Sequence, residues 1–152
     1  MKKTYVLMLS QSFPAKHPRS GNATGFREKF LSGEKRHTIR ANFPLWAKRI
    51  REVQQGKAEL SIRQWEGRPY LSRQVIIGCL TAESGIGIQK LTFQLDRDGC
   101  ASFKFFDIDG KYPELTELAA NDGLSVDDWK EWFRGYDFSQ PMAVIQFGKF
   151  RY

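Results

Sequence analysis

The sequence has few of the residues that metal sites and disulfide frameworks require. Its 152 residues include only two cysteines, Cys79 and Cys100, and two histidines, and the cysteines do not form a CxxC pair. Both cysteines lie in apolar, strand-like segments, where packing is a commoner role than nucleophilic catalysis. We therefore predict no metal, no cofactor and no disulfide framework.

Long hydrophobic runs are also lacking. The longest apolar runs, such as residues 5–9, are far shorter than the roughly 18 to 20 residues that cross a bilayer. The opening Met-Lys-Lys is not followed by the apolar core and cleavage site of a signal peptide. These features predict a cytoplasmic protein without a membrane partner, and the length predicts one domain over residues 1–152.

Three common motifs of catalysis and nucleotide binding are missing. The chain contains no GxSxG, no GxxxxGK[ST] and no GxGxxG, because the pair Gly85 and Gly87 has no third glycine at the required spacing. This argues against an α/β-hydrolase nucleophile, a P-loop and a dinucleotide-binding turn.

Charge of one sign dominates the first half of the chain. Residues 1–76 hold 16 Lys and Arg against 5 Asp and Glu, whereas residues 77–152 hold 8 against 12. The first half is thus the region expected to meet an anion, and a phosphate-bearing partner would suit it. Scattered surface cations that serve only solubility are the alternative for many of these residues.

Many short strands interrupted by a few short helices predict an α+β fold with a compact, barrel-like sheet. Capping residues, glycine stops and apolar periodicity mark the element boundaries. The predicted strands cover residues 3–10, 36–40, 58–65, 70–80, 87–95, 100–106 and 142–147. The predicted helices begin near Thr24, Asn42, Pro113 and Ser125.

The stretch GEKRHTIR, residues 33–40, holds the densest group of candidate site residues. Lys35, Arg36 and Arg40 stand beside His37 and Thr38, at a helix exit that continues into a short strand. Because strand side chains alternate, Thr38 and Arg40 share one face, where a cation can hold an anion next to a hydroxyl. His37 points to the other face and by itself favours a structural role.

A second candidate surface lies at the turn of the predicted hairpin. Trp65 and Tyr70 flank this turn, which holds Arg68 and is preceded by Arg63. Aromatic rings interleaved with arginines are typical of surfaces that stack nucleobases and bind phosphates. A cross-strand aromatic pair that only closes the hairpin explains the same residues.

The stretch GEKRHTIR resembles the opening G-x-K-x-x-T-I-R motif of the ASCH domain, a member of the PUA-like superfamily. The later segment LAANDGLSVDDWKEWF, residues 118–133, and the strand MAVIQF resemble the late helices and closing strand of that family. The resemblance implies a small β-barrel with flanking short helices around a cleft that binds RNA, a nucleotide or a modified nucleoside.

The same resemblance implies a specific activity, because some small ASCH proteins remove the acyl group from N4-acetylcytidine. Lys35 and Thr38 match the lysine and threonine that these amidohydrolases use, and Asp122 stands where they have a glutamate. Lys35 would activate Thr38 or a water, and Asp122 would carry the proton to the leaving amine. Arg40 matches the arginine of the motif.

Three functions remain open at this point. The first is binding of RNA, a nucleotide or a modified nucleoside in a basic cleft lined by Lys35, Thr38 and Arg40. Arg36 and His37 of the motif are further candidate ligand residues, and the hairpin surface extends the cleft. The second is metal-free hydrolysis of N4-acetylcytidine. The third is an interaction module whose basic half meets an acidic protein.

Overall fold

The computed structural model describes residues 2–152, which form an α+β fold. Within these residues, seven strands form two sheets and four α-helices flank them. The strands are β1 (Lys3–Met8), β2 (His37–Arg40), β3 (Ala58–Trp65), β4 (Gln74–Leu80), β5 (Gly87–Leu95), β6 (Ala101–Ile108) and β7 (Met142–Gln146). The helices are α1 (Phe26–Ser32), α2 (Phe43–Gln54), α3 (Leu115–Asn121) and α4 (Val126–Phe133), with a 3₁₀ turn at Ala82–Ser84.

The two sheets differ in strand direction. The three-stranded sheet has the order β1-β3-β4, with β1 parallel to β3 and β3 antiparallel to β4. The four-stranded sheet has the order β2-β7-β5-β6 and is antiparallel throughout. The parallel pair requires a long crossover, which α1, β2 and α2 provide.

The predicted barrel is not closed in residues 2–152. No ladder of hydrogen bonds joins the two sheets there, so β1 and β4 remain the edges of one sheet and β2 and β6 the edges of the other. Side-chain packing connects the sheets instead, since α2 contacts β3 of the first sheet and both β5 and β7 of the second. Ile50 and Val53 of α2 are fully buried at this junction.

Local sequence signals explain where the helices begin and end. Gly33 ends α1 in the left-handed region, with φ 83°, which costs glycine little. The Asn42 side chain accepts a hydrogen bond from the Leu45 N–H at the start of α2, and the Ser125 hydroxyl accepts one from the Asp128 N–H at the start of α4. These caps satisfy backbone donors that the first helical turn leaves free.

The loop between β3 and β4 is longer than the sequence predicts. Tyr70 has a positive φ of 63°, and the Glu66 N–H donates to the Arg73 carbonyl at 2.8 Å. This hydrogen bond joins the two ends of the loop, Glu66 and Arg73, so residues 70–73 stay outside the sheet and β4 begins at Gln74.

Pairing between β2 and β7 fixes the position of the GEKRHTIR stretch. His37 lies opposite Gln146 and Arg40 opposite Ala143. Just before β2, the Arg36 N–H donates to the Asn121 carbonyl at 2.7 Å, and the Phe147 N–H donates to the Arg36 carbonyl at 2.9 Å. These bonds hold the stretch between the end of α3 and the end of β7.

In residues 2–152, no helix is long and apolar enough to cross a membrane.

The contact between Gly85 and Lys149 gives a test of the fold. A Cβ at Gly85 would lie 3.1 Å from the Lys149 backbone nitrogen, and φ there is +80°. Gly110 has nearly the same φ, +79°, with nothing within 4 Å of its Cβ position. We expect Gly110→Ala to cost about 1–2 kcal/mol in left-handed strain alone, and Gly85→Ala to cost more, measured by urea denaturation. Equal losses would show that the close approach to Lys149 carries no energy.

Candidate functional site

A backbone hydrogen bond holds Lys35 just after α1, and its side chain points into the protein. Its N–H donates to the Lys29 carbonyl at 3.0 Å, which extends the turn begun at Gly33. Gly123 leaves room for the Lys35 side chain, because a Cβ at Gly123 would lie 3.3 Å from the Cβ of Lys35. The lysine is therefore directed towards the turn between α3 and α4.

Lys35 and Asp122 form a buried ion pair at the centre of the candidate site. The Lys35 Nζ donates to Asp122 Oδ1 at 2.9 Å and to the Asp122 backbone carbonyl at 2.6 Å. The side chains are only 2% and 5% exposed. The Phe26 ring covers the Nζ at 4.2 Å from the ring centroid, which adds a cation–π contact.

Burial changes the acid–base properties of both partners. Desolvation lowers the pKa of Lys35, and the nearby Asp122 carboxylate offsets this only in part. Burial acts to raise the pKa of Asp122, but attraction to Lys35 and contact with His37 outweigh it, so that pKa lies below its usual value. The pair thus combines a carboxylate with a lysine that loses its proton more readily than a lysine in water.

A cavity of about 280 Å³ opens beside this pair. Its polar lining includes Lys35, Thr38, Arg40 and Asp122. The three motif residues and the aspartate that the sequence predicts as site residues therefore lie at one cavity. The volume is close to the lower end of the roughly 300–1,000 Å³ of small-molecule pockets. Such a space suits one small planar group better than a length of nucleic-acid strand.

Arg40 supplies a fixed positive charge at the cavity wall. One guanidinium nitrogen donates to the Met8 carbonyl, which orients the group. Its Nε is buried and has no hydrogen-bond partner among residues 2–152. Desolvation lowers the pKa of Arg40, yet an arginine stays protonated in proteins. A buried N–H without a partner is costly, so keeping the Arg40 guanidinium at this place has an energetic cost.

Aromatic side chains form the remaining wall, and the sequence did not single them out as site residues. Trp132, Phe133 and Tyr136 line the cavity together with Phe26. Of the two rings on α4, Phe133 is buried and Trp132 is partly exposed. The sequence does show that three aromatic residues, Trp132, Phe133 and Tyr136, lie close together at the end of α4 and just after it.

The Pro-rich loop of residues 11–25 supports this aromatic wall from behind. The Phe13 ring packs against Trp132 with centroids 5.8 Å apart, and the ring of His17 lies on Phe13 at 4.4 Å. His17 and Arg19 are also tied to Asp128 of α4, the histidine through the Asp128 carbonyl and the arginine through the carboxylate. The loop therefore fixes α4 and its cavity-facing rings.

His37 does not line the cavity. It is fully buried, its Nε2 is hydrogen-bonded to the Tyr152 hydroxyl, and its Nδ1 lies 3.8 Å from Asp122 Oδ1. That distance is too long for a hydrogen bond but short enough for electrostatic attraction. His37 therefore contacts the ion pair from the side opposite the cavity.

The other predicted ligand residues lie outside the cavity lining. Arg36 is exposed, and its guanidinium rests on the Phe150 ring at 4.6 Å. Arg63 is bonded to Ser61 and Gln74 on the three-stranded sheet. At the neighbouring loop, the Trp65 and Tyr70 rings pack together with centroids 5.2 Å apart, and Arg68 is exposed beside them.

A larger cavity of about 780 Å³ lies between β5, β6 and the start of α3. Lys104, Asp107, Glu114 and Lys130 line it, and in the described part of the chain none of them forms a salt bridge. Size therefore does not identify the site. The smaller cavity is the better candidate because a buried, interacting acid and base open into it.

Residues 2–152 contain no cluster of three side chains from His, Cys, Asp and Glu that could hold a metal ion. No protein-family model matches the chain, and no curated protein or solved structure matches it significantly. Any assignment of function therefore rests on the residues of the cavity and on the motif they belong to.

The stability of the ion pair can be tested with one single and one double variant. Lys35→Met leaves the Asp122 carboxylate buried without its cation, and we expect it to cost about 3–5 kcal/mol. Lys35→Met combined with Asp122→Leu removes both charges, and we expect it to recover most of that loss. Urea denaturation of both variants measures the difference. A single variant as stable as the original protein would contradict the buried pairing.

Proposed function

We propose that this chain is an ASCH/PUA-like protein that binds an N4-acylated cytosine nucleoside and hydrolyses its acyl amide. The observation that carries the proposal is the buried pair of Lys35 and Asp122, which opens with Thr38 and Arg40 into one cavity. The motif resemblance assigns Lys35, Thr38 and Asp122 to amide hydrolysis and matches Arg40 to the arginine of the motif. The two-sheet arrangement would then be an open version of the family's barrel.

Lys35 supplies the base in this mechanism. Burial lowers its pKa, which favours the neutral amine that can accept a proton. It takes the proton from the Thr38 hydroxyl or from a water, and the oxygen attacks the acyl carbonyl carbon. Arg40 lines the same cavity, and its positive charge suits the negative charge that develops on the carbonyl oxygen.

Asp122 completes the proton transfer. The proton gained by Lys35 is held in the 2.9 Å hydrogen bond to Asp122 Oδ1 and is delivered to the exocyclic nitrogen as the C–N bond breaks. The amine leaves as the unmodified nucleoside. With a water as nucleophile the acyl group leaves directly as a carboxylate, and with Thr38 a second water hydrolyses the acyl-threonine ester.

The aromatic wall accounts for the choice of a planar substrate. Trp132, Phe133 and Tyr136 offer ring faces and edges to the cavity, and stacking on aromatic side chains is a common way of holding a nucleobase. Asp122 is one methylene shorter than the family's glutamate. The 2.9 Å contact with Lys35 is nevertheless made, because Lys35 reaches to the turn where Asp122 lies.

Incubation of the protein with N4-acetylcytidine tests the activity, with cytidine and acetate measured by chromatography. We expect Lys35→Arg to lower kcat/KM by at least about 100-fold, because a guanidinium cannot act as the base. Lys104→Arg, an exposed lysine on β6, is the matched control. Thr38→Val separates the two nucleophiles, since activity that survives it assigns the attack to water. Full activity in Lys35→Arg would contradict the mechanism.

The pH profile tests the protonation state of Lys35. Only the neutral amine is active, so kcat/KM should rise with pH through the pKa of Lys35. Because burial lowers that pKa, we expect the midpoint of the rise to lie below the pH at which an ordinary lysine titrates. A rise centred on the ordinary lysine value would show that burial does not lower the pKa of Lys35.

A second candidate function, binding of single-stranded RNA, is favoured by the loop between β3 and β4. Tyr70 is 86% exposed and packs on Trp65, and the exposed Arg68 adds to the excess positive charge of residues 1–76. Exposed rings next to a cation suit base stacking and phosphate contact. Lys35, being buried, does not belong to this surface.

Fluorescence anisotropy with a labelled RNA oligonucleotide at several salt concentrations tests this surface. We expect Arg68→Ala to weaken binding and to reduce the salt slope by about 1, and Tyr70→Ala to weaken binding by about 1–3 kcal/mol. Arg97→Ala, on the exposed turn after β5, is the control. Equal effects of Arg68→Ala and Arg97→Ala would rule out a specific surface. A basic half that binds acidic protein instead would show no RNA affinity at all.

A further inference from the structure

A chain of polar groups leads to Asp122 from the side opposite the cavity. Asn121, the last residue of α3, donates from Nδ2 to the Tyr152 hydroxyl at 3.1 Å. The same hydroxyl is hydrogen-bonded to His37 Nε2, and the other ring nitrogen of His37 faces Asp122 Oδ1 at 3.8 Å. The mechanism above uses neither His37 nor Tyr152.

The hydrogen bonds of the Tyr152 hydroxyl favour one tautomer of His37. A tyrosine hydroxyl has one proton to give, and because it accepts from Asn121 it can give that proton to His37 Nε2. Burial keeps Tyr152 protonated by raising its pKa, and burial also lowers the pKa of His37, which favours the neutral ring. A neutral ring whose Nε2 accepts carries its proton on Nδ1, the nitrogen that faces Asp122.

Several bonds keep Tyr152 in place. Its N–H donates to Gln89 Oε1 at 3.0 Å, and Arg151 donates to the Gly85 carbonyl at 2.9 Å. The rings of His37 and Tyr152 also pack together with centroids 5.6 Å apart. The hydroxyl is thus held at His37 by the four-stranded sheet.

We propose that His37 is a positioning residue for Asp122: Tyr152 holds it as the Nδ1–H tautomer, and this N–H steadies the carboxylate that serves Lys35. The inference rests on the proposed function, since it assigns Asp122 a part in catalysis. Asp122 Oδ1 lies between Lys35 Nζ and His37 Nδ1. When the proton of Lys35 passes to the leaving amine, the His37 N–H attracts the carboxylate across 3.8 Å, and this distance can then shorten to a hydrogen bond.

Nitrogen NMR of ¹⁵N-histidine-labelled protein tests the tautomer without any substrate. The chain contains only His17 and His37, and the structure assigns them opposite tautomers. His17 Nδ1 accepts from the Arg19 N–H at 3.0 Å and its Nε2 faces the Asp128 carbonyl, so its proton belongs on Nε2. We expect an Nδ1–H signature for His37 and an Nε2–H signature for His17. An Nε2–H signature for His37 would overturn the proposal.

Tyr152→Phe tests the influence of the tautomer on Asp122. Without the hydroxyl we expect His37 to populate the Nε2–H tautomer and the ¹³C carboxyl resonance of Asp122 to shift. Tyr112→Phe is the matched control, because that residue is 81% exposed in the larger cavity. An unmoved Asp122 resonance in Tyr152→Phe would overturn the proposal whether or not the protein hydrolyses N4-acetylcytidine.

The kinetic consequence separates positioning from substrate binding. We expect Tyr152→Phe and His37→Leu to lower kcat by up to about 100-fold, with KM little changed because neither side chain lines the cavity. His37→Asn keeps an N–H near the position of Nδ1 and should restore part of kcat. Equal kcat values for Tyr152→Phe and Tyr112→Phe would overturn the positioning role. A wild-type protein with no hydrolysis would overturn the proposed function, and the two NMR measurements would then decide the arrangement of His37 alone.

Discussion

The buried pair of Lys35 and Asp122 is the interaction on which the rest of the site depends. Removing two charges from water costs several kcal/mol per ion, and only good geometry and further hydrogen bonds repay it. Here the lysine has two acceptors from the same residue, at 2.6 and 2.9 Å, and a ring of Phe26 above it. Two apolar residues would fill the same space at lower cost, so the pair is better explained by chemistry than by stability. Burial lowers the pKa of Lys35 by more than the attraction to Asp122 raises it, and a lowered pKa is what a general base needs.

The two sides of Asp122 have different surroundings. On one side lies the cavity, where Thr38, Arg40 and the rings of α4 can meet a ligand. On the other side lies a polar chain through the buried His37 and the partly exposed Tyr152, which the four-stranded sheet holds in place. A carboxylate that faces a cavity on one side and is held by neighbouring side chains on the other can exchange protons while its position stays fixed. A repeated proton transfer requires such a fixed position.

Much of the fold follows from local signals in the sequence, such as the residues that begin and end the helices. Gly33, Asn42 and Ser125 mark helix ends because their backbone conformations and side-chain bonds act within a few residues. The α+β class also follows from the alternation of short strands and helices. The closed barrel does not follow from such signals. It depends on whether edge strands meet, and β1, β4, β2 and β6 remain edges in residues 2–152. Tyr70 was placed in a strand because its residue type favours one, but the hydrogen bond that closes the loop from Glu66 to Arg73 leaves it outside.

The sequence by itself determined which residue types were available for chemistry, and the alternation of side chains along one short strand determined that Thr38 and Arg40 share a face. Tertiary structure alone decided the rest. Lys35 and Asp122 are 87 residues apart in the chain, and only the pairing of β2 with β7 and the bond from Arg36 to Asn121 bring them together. The same long-range packing turned Trp132 towards a cavity and His37 away from it. Periodicity describes the faces of a single element, whereas a site forms where the faces of several elements meet.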